Sequence, residues 1–301
     1  MRNRQRQPGA QTGGGVSRLS EWLAGGLLIT DGAWGTELQT RGLAPGLAPD
    51  IWNLDHPERV EAVARSYIEA GSQIILTNTF RANSVAMEGD IEAINRAGVA
   101  ISKRAAAGQA LVFASIGPTG KMLIAGEIGK EQASAAFAAQ AEALATAGAD
   151  ALLVETMSDV EEAGLAVAAA KSTGLPVIAS FAFDSGKNKD RTMMGTTPEA
   201  AAAAMVEAGA DAVGANCGIG IENAALLCRR LRAACDLPIW IKPNAGLPKM
   251  EGTAIRYDVS PEFFASHYVA LRDAGAAFVG GCCGSTPDFI RALVSARCAS
   301  N

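Results

Sequence analysis

At 301 residues, 49% of them hydrophobic and 19% charged, the chain has the length and apolar content for a large buried core, and its composition excludes a disordered polypeptide. A formal net charge of -5 argues against a nucleic-acid binder, which needs a clustered positive surface to displace counterions, and leaves small molecules as the expected partners. No apolar run approaches the roughly 18–20 residues of a membrane span and the N-terminus lacks the apolar core of a secretory signal, so no membrane partner and a cytoplasmic location are expected.

Residues 1–18 are rich in Gly, Gln and Arg without apolar periodicity and read as a disordered tail, leaving 19–301 as a single domain. From residue 27 onward short apolar runs recur, each ending in polar or glycine-rich residues: LLITDGA (27–33), QIILTNTF (73–80), LVFASIG (111–117), ALLVETM (151–157), PVIASFAF (176–183), AVGANCG (212–218), PIWIKPNAG (238–246) and FVGGCCG (278–284). Nearly continuous hydrophobicity is the pattern of strands covered on both faces. Between them lie Ala-, Glu- and Arg-rich segments of strong helix formers. Four of these end on a shared signature, AGS at 70–72 and AGA at 147–149, 208–210 and 274–276, whose glycine suits a helix C-terminus. Eight strands alternating with helices, and no GxGxxG after the first strand, predict an α/β fold of the TIM-type (β/α)8 barrel class over a doubly wound sheet.

In such a barrel the strand C-termini converge on one mouth. The polar residues ending the runs are Asp31, Thr77, Asn78, Thr79, Glu155, Asn216, Cys217, Asn244, Cys282 and Cys283. Three thiols from two distant strands would therefore meet. Catalytic zinc commonly takes three protein ligands and keeps one position for substrate, and thiolates select a soft or borderline metal, so Zn2+ is the expected ion. Glycines at 280, 281 and 284 would let the backbone turn so that both neighbours, Cys282 and Cys283, reach one ion. Cys228, Cys235 and Cys298 fall on helical or terminal segments and read as ordinary small apolar side chains. His56 and His267, the only histidines, lie away from strand ends, which leaves a thiol or hydroxyl nucleophile without its base. GPTGK at 117–121 lacks phosphate-loop spacing and reads as a turn.

The motifs DGAWGTELQ (31–39), LLVETMSDVEEA (152–163), GANCG (214–218) and GGCCGSTP (280–287), in that order, resemble the homocysteine S-methyltransferase family over about residues 27–290. The resemblance implies one homocysteine-binding barrel domain that transfers a methyl group to homocysteine thiolate to give methionine. It implies zinc on Cys217, Cys282 and Cys283, with Asp31 and Glu155 at the substrate ammonium and Gly32 and Thr77 near its carboxylate. Three donors are plausible in the family: glycine betaine, S-methylmethionine, and a methyl-corrinoid carried by a separate protein. Trp52 matches a tryptophan of the onium-using members, and with Phe80 it would offer aromatic faces to a cationic donor such as glycine betaine. Arg81 stands beside them, where its charge would repel a cation or hold a donor carboxylate. Self-association to a homo-oligomer stays open.

Overall fold

The computed structural model describes residues 14–247, 249–251 and 254–300. Ten strands occur among them: β1 (Leu28–Ile29), β2 (Ile74–Leu76), β3 (Leu111–Ile116), β4 (Ala151–Met157), β5 (Val177–Phe181), β6 (Ala212–Gly220), β7 (Ile239–Asn244), β8 (Lys249–Glu251), β9 (Ala254–Arg256) and β10 (Ala276–Val279). β8 and β9 form a separate antiparallel hairpin. The other eight make one parallel sheet in the order β1-β10-β7-β6-β5-β4-β3-β2. Its two edges meet through a parallel bridge between Thr30 and Ile74, and the Gln73 N–H donates to the Ile29 carbonyl at 2.8 Å. The sheet is thus the expected TIM-type (β/α)8 barrel, and each of the eight apolar runs carries one strand.

Local sequence sets the crossovers. Asp90, Asp159, Thr197 and Ser260 cap helices Ile91–Ala106, Val160–Lys171, Pro198–Glu207 and Pro261–Ser266 by accepting from backbone N–H groups of the first turn. The repeated AG signature ends the preceding helices in a left-handed residue: Gly71, Gly148, Gly209 and Gly275 have φ of 97°, 97°, 83° and 90°. The chain can therefore reverse into the next strand at the same offset each time.

Strand alternation sorts the core into two layers. Outward residues such as Ile75, Val112, Val154, Val213 and Ile241 pack under the helices. Inward residues Leu28, Ile74, Phe113, Leu153, Ile178, Trp240 and Phe278 fill the barrel's lower half. Phe113 and Trp240 stack with centroids 6.0 Å apart, and Phe278 closes on Trp240 at 5.3 Å. Helix Gly14–Trp22 covers this end: Leu19 is 2% exposed, and the Trp22 ring sits 5.5 Å from Phe113. That helix begins inside the stretch expected to be a tail, because its apolar residues plug the barrel bottom; residues 1–13 lie outside the described residues. No described helix is long and apolar enough to cross a membrane.

The mouth loops are anchored by buried carboxylates. Glu162 Oε1 accepts from the Thr119 N–H and hydroxyl at 2.8 and 2.6 Å, which holds the GPTGK segment as a turn. Asp50, 1% exposed, accepts from the Arg81 N–H at 2.8 Å and so ties the loop after β1 to the loop after β2. Burial pushes its carboxyl up to about 6, against the backbone hydrogen bonds that pull it down.

Two stability outcomes follow. Trp240 is fully buried and its indole N–H has no hydrogen-bond partner among the described residues. Trp240→Ala should cost about 3–5 kcal/mol in urea unfolding and Trp240→Phe clearly less, because phenylalanine keeps most of the volume and removes the orphan donor. For Asp50, the folded pKa exceeds the ordinary 3.8, so the folded state holds the proton more tightly and stability falls as pH rises from about 4 through about 6. The stability lost between pH 4 and pH 7 should shrink in Asp50→Asn by on the order of 2 kcal/mol. Identical pH profiles for the two proteins would contradict this account.

Candidate metal and substrate site

Two residues above the aromatic floor, the same alternation turns polar. Ser115 follows Phe113, Glu155 follows Leu153, Ser180 follows Ile178, Asn216 follows Gly214 and Lys242 follows Trp240. All five are buried, and Ser115, Glu155 and Lys242 line a cavity of about 310 Å³ at the barrel mouth. The cavity wall includes Gly32, Trp34, Asp50, Thr77, Phe80 and the three strand-end cysteines.

Cys217, Cys282 and Cys283 come together as their positions at strand ends predict. Cys217 Sγ lies 3.3 Å from Cys282 Sγ and 3.6 Å from Cys283 Sγ. These three are the group of metal-capable ligand atoms found within 4.8 Å of one another among the described residues. Sulfurs around a tetrahedral zinc at about 2.3 Å sit roughly 3.8 Å apart, so this donor set fits zinc with little rearrangement. Without a cation the cluster distributes its protons unevenly. Hydrogen bonds from Cys217 and then Cys282 hold the Cys283 thiol far down, to about 3, while Cys217 is pushed up by its bonds to both neighbours and by burial.

The backbone is shaped to make this cluster. Cys217 adopts φ 56°, a left-handed conformation that costs a non-glycine residue about 1–2 kcal/mol and interrupts the regular β6 register. On the other side, Asn244 Oδ1 accepts from the Cys283 N–H at 3.0 Å and the Pro243 carbonyl accepts from the Cys282 N–H at 2.8 Å. Only Gly284 of the three expected glycines takes a positive φ, 79°. Gly280 and Gly281 act through their missing side chains: a Cβ would lie 2.0 Å from Thr30 Oγ1 at the first and 2.2 Å from Ser285 Oγ at the second.

The expected substrate contacts divide. Glu155 lines the cavity, accepts from the Ser115 hydroxyl at 2.5 Å, and sits 3.4 Å from the Asn216 amide, itself held by Ser180 and Thr156. Burial foremost pushes its carboxyl up to about 7, against the pull of Lys242. Gly32 and Thr77 also line the cavity; the Thr77 hydroxyl meets Thr79 at 2.6 Å and accepts from the Ser115 N–H at 3.1 Å. Asp31 does not line it. Fully buried, it is ion-paired through Oδ1 to Lys242, and its Oδ2 accepts from the Trp34 indole and the Leu76 N–H, both at 2.7 Å.

Among the aromatic candidates, Phe80 is in the wall and Trp52 is not. Trp52 is 6% exposed in the core under helix Pro57–Glu69, with His56 edge-on at 4.7 Å and the Arg59 guanidinium 5.1 Å from its ring centroid. Its face is thus taken by a protein cation. Trp34, inside the DGAWG motif, occupies the wall position instead. The Arg81 guanidinium donates to the Ala86 carbonyl at 3.4 Å, and Arg81 is not in the cavity wall. Cys228, Cys235 and Cys298 stand apart from the cluster, as expected.

Besides Trp34 and Ser115, two more residues escaped the sequence reading. Lys242 is 2% exposed on the cavity floor; a lone lysine in IWIKPN, in phase with Trp240 and Asn244, was the available signal. Tyr257 has its ring over Gly284 and hydrogen-bonds Cys283, and burial foremost raises its phenol pKa. Its position depends on the chain path after β9, which no sequence pattern announces.

Comparison with known proteins gives the same picture. The family model for homocysteine S-methyltransferase matches residues 28–297. Methionine synthase from Mycobacterium leprae is 31% identical across 93% of this chain, and that from Mycobacterium tuberculosis is 30% identical across 92%. The chain spans 25% of the length of each of these relatives. The metallated homocysteine methyltransferase MmuM from Escherichia coli superposes with a TM-score of 0.76 at 25% identity, covering 92% of this chain and 99% of that one. With its barrel, its three-cysteine cluster and a family match over nearly its whole length, this chain belongs to the homocysteine S-methyltransferase family.

Proposed function

We propose that the chain transfers a methyl group to the thiolate of homocysteine, giving methionine, with zinc held by Cys217, Cys282 and Cys283. The observation that carries this reading is the cluster of three sulfurs at the edge of a cavity with a buried carboxylate in its floor. A zinc ion bound there would lower the pKa of a homocysteine thiol and supply it as a thiolate at neutral pH.

The protein's own residues do the positioning. Glu155 takes the substrate ammonium, since Asp31 has its oxygens engaged by Lys242, Trp34 and Leu76. Ser115 and Asn216 hold the Glu155 carboxylate in place, and Gly32 and Thr77 border the end of the cavity assigned to the carboxylate. The sulfur then attacks the methyl carbon in line, the S–C bond forming as the donor leaves with the old bonding pair. Residues 19–301 act as one homocysteine-binding domain.

The donor is an onium compound such as glycine betaine or S-methylmethionine, with Phe80 and Trp34 as the aromatic walls that a cation without strong hydrogen-bond donors requires. A second reading has an observation of its own. The chain is 31% and 30% identical to methionine synthases over a quarter of their length, and in this reading it is a homocysteine-activating component that works with a separate methyl-corrinoid protein.

Purified protein should carry about one zinc per chain, and Cys283→Ser should lose the metal and methionine formation together while its far-UV spectrum stays unchanged. A metal-free preparation with full activity would overturn the reading. Assayed alone, the chain should make methionine from glycine betaine or S-methylmethionine; activity only with a methyl-corrinoid donor would select the second reading.

A further inference from the structure

The cavity floor holds a cation that the reaction as described leaves without a task. Lys242 lines the cavity and is 2% exposed, with Asp31 Oδ1 as the hydrogen-bond partner of its Nζ among the described residues. An ammonium group has three protons to donate. One goes to Asp31, and burying the others without an acceptor is costly unless a ligand supplies one. Asp31 takes that proton on Oδ1, while Trp34 and Leu76 donate to its Oδ2, so the ion pair accounts for one of the three ammonium protons. A lysine here is also expensive to desolvate, whereas an apolar side chain in phase with Trp240 would extend the floor at no such cost.

The charges around it form a pattern. Glu155 lines the same cavity and lies near enough for Lys242 to pull its carboxyl down. Next to the sulfur cluster, the floor thus presents one carboxylate and one ammonium. An α-amino acid carries the opposite pair on a single carbon.

We propose that Lys242 binds the α-carboxylate of the acceptor, opposite Glu155 at the ammonium, and so restricts the site to thiols that are α-amino acid zwitterions. The proposal rests on homocysteine being the acceptor. Lys242 is then a specificity residue that touches substrate away from the reacting sulfur. A charged hydrogen bond of this kind corresponds to about a 10- to 100-fold change in affinity.

The test is calorimetric binding to the zinc-loaded protein of L-homocysteine and of 3-aminopropanethiol, which keeps the thiol and amine but lacks the carboxylate. Wild type should prefer homocysteine by about 10- to 100-fold, and Lys242→Gln should lose that preference by weakening homocysteine alone. Because the single change leaves Asp31 buried without its ion-pair partner, Asp31→Asn with Lys242→Gln serves as the charge-balanced variant and should show the same loss. Equal affinity of wild type for both thiols, or equal weakening of both by the variants, overturns the proposal while leaving the acceptor assignment intact. Failure of L-homocysteine to bind wild type removes the acceptor assignment and this inference together.

Discussion

The carboxylate of Asp31 joins the closure of the barrel to the chemistry of its mouth. Strand β1 is only two residues long, so its backbone supplies few of the bonds needed to seal β1 against β2. Asp31 makes up the deficit by accepting from the Leu76 N–H at the end of β2, and it holds Trp34 at the start of the next helix with the same oxygen. Its other oxygen fixes Lys242 on β7, across the barrel. A single fully buried side chain thus registers three elements, and the price is that it no longer faces the cavity.

That arrangement divides labour by height. Below, Phe113, Trp240 and Phe278 pack into a fully buried apolar floor in the lower half of the barrel. Above, two residues along the same strands, the polar layer shares a network in which Ser115, Asn216, Ser180 and Thr156 each have a stated partner. A buried network of this type is rigid only when its members are satisfied. Glu155 retains the freedom to meet a ligand because its second oxygen is held only at 3.4 Å. The cysteines stand at the edge of this layer, where strain at Cys217 and the close approach allowed by Gly280 and Gly281 bring distant strand ends into contact.

Much of this was legible in one dimension. Buried parallel strands must be apolar on both faces, so the eight runs declared themselves, and the AG signature marked four helix ends because a left-handed residue is needed there. Barrel geometry sends strand C-termini to one face, so Cys217, Cys282 and Cys283 could be assigned to a shared place from their positions alone. The motifs also carried the family, which the match over residues 28–297 bears out.

What sequence could not decide was which way each polar side chain at the mouth turns. Asp31 and Glu155 look alike as carboxylates at strand ends, yet one is spent on closing the barrel and the other faces the cavity, because the nearest cation, Lys242, lies 211 residues from Asp31 along the chain. Trp52 and Trp34 look alike as aromatics after the first strand, yet Arg59 covers one ring while the other enters the wall. Sequence by itself determined the fold class and the meeting of three cysteines at one mouth, since both follow from local hydrophobic period and strand-end position. Only the tertiary structure decided which groups remain free for a ligand, since that depends on partners brought together by barrel closure.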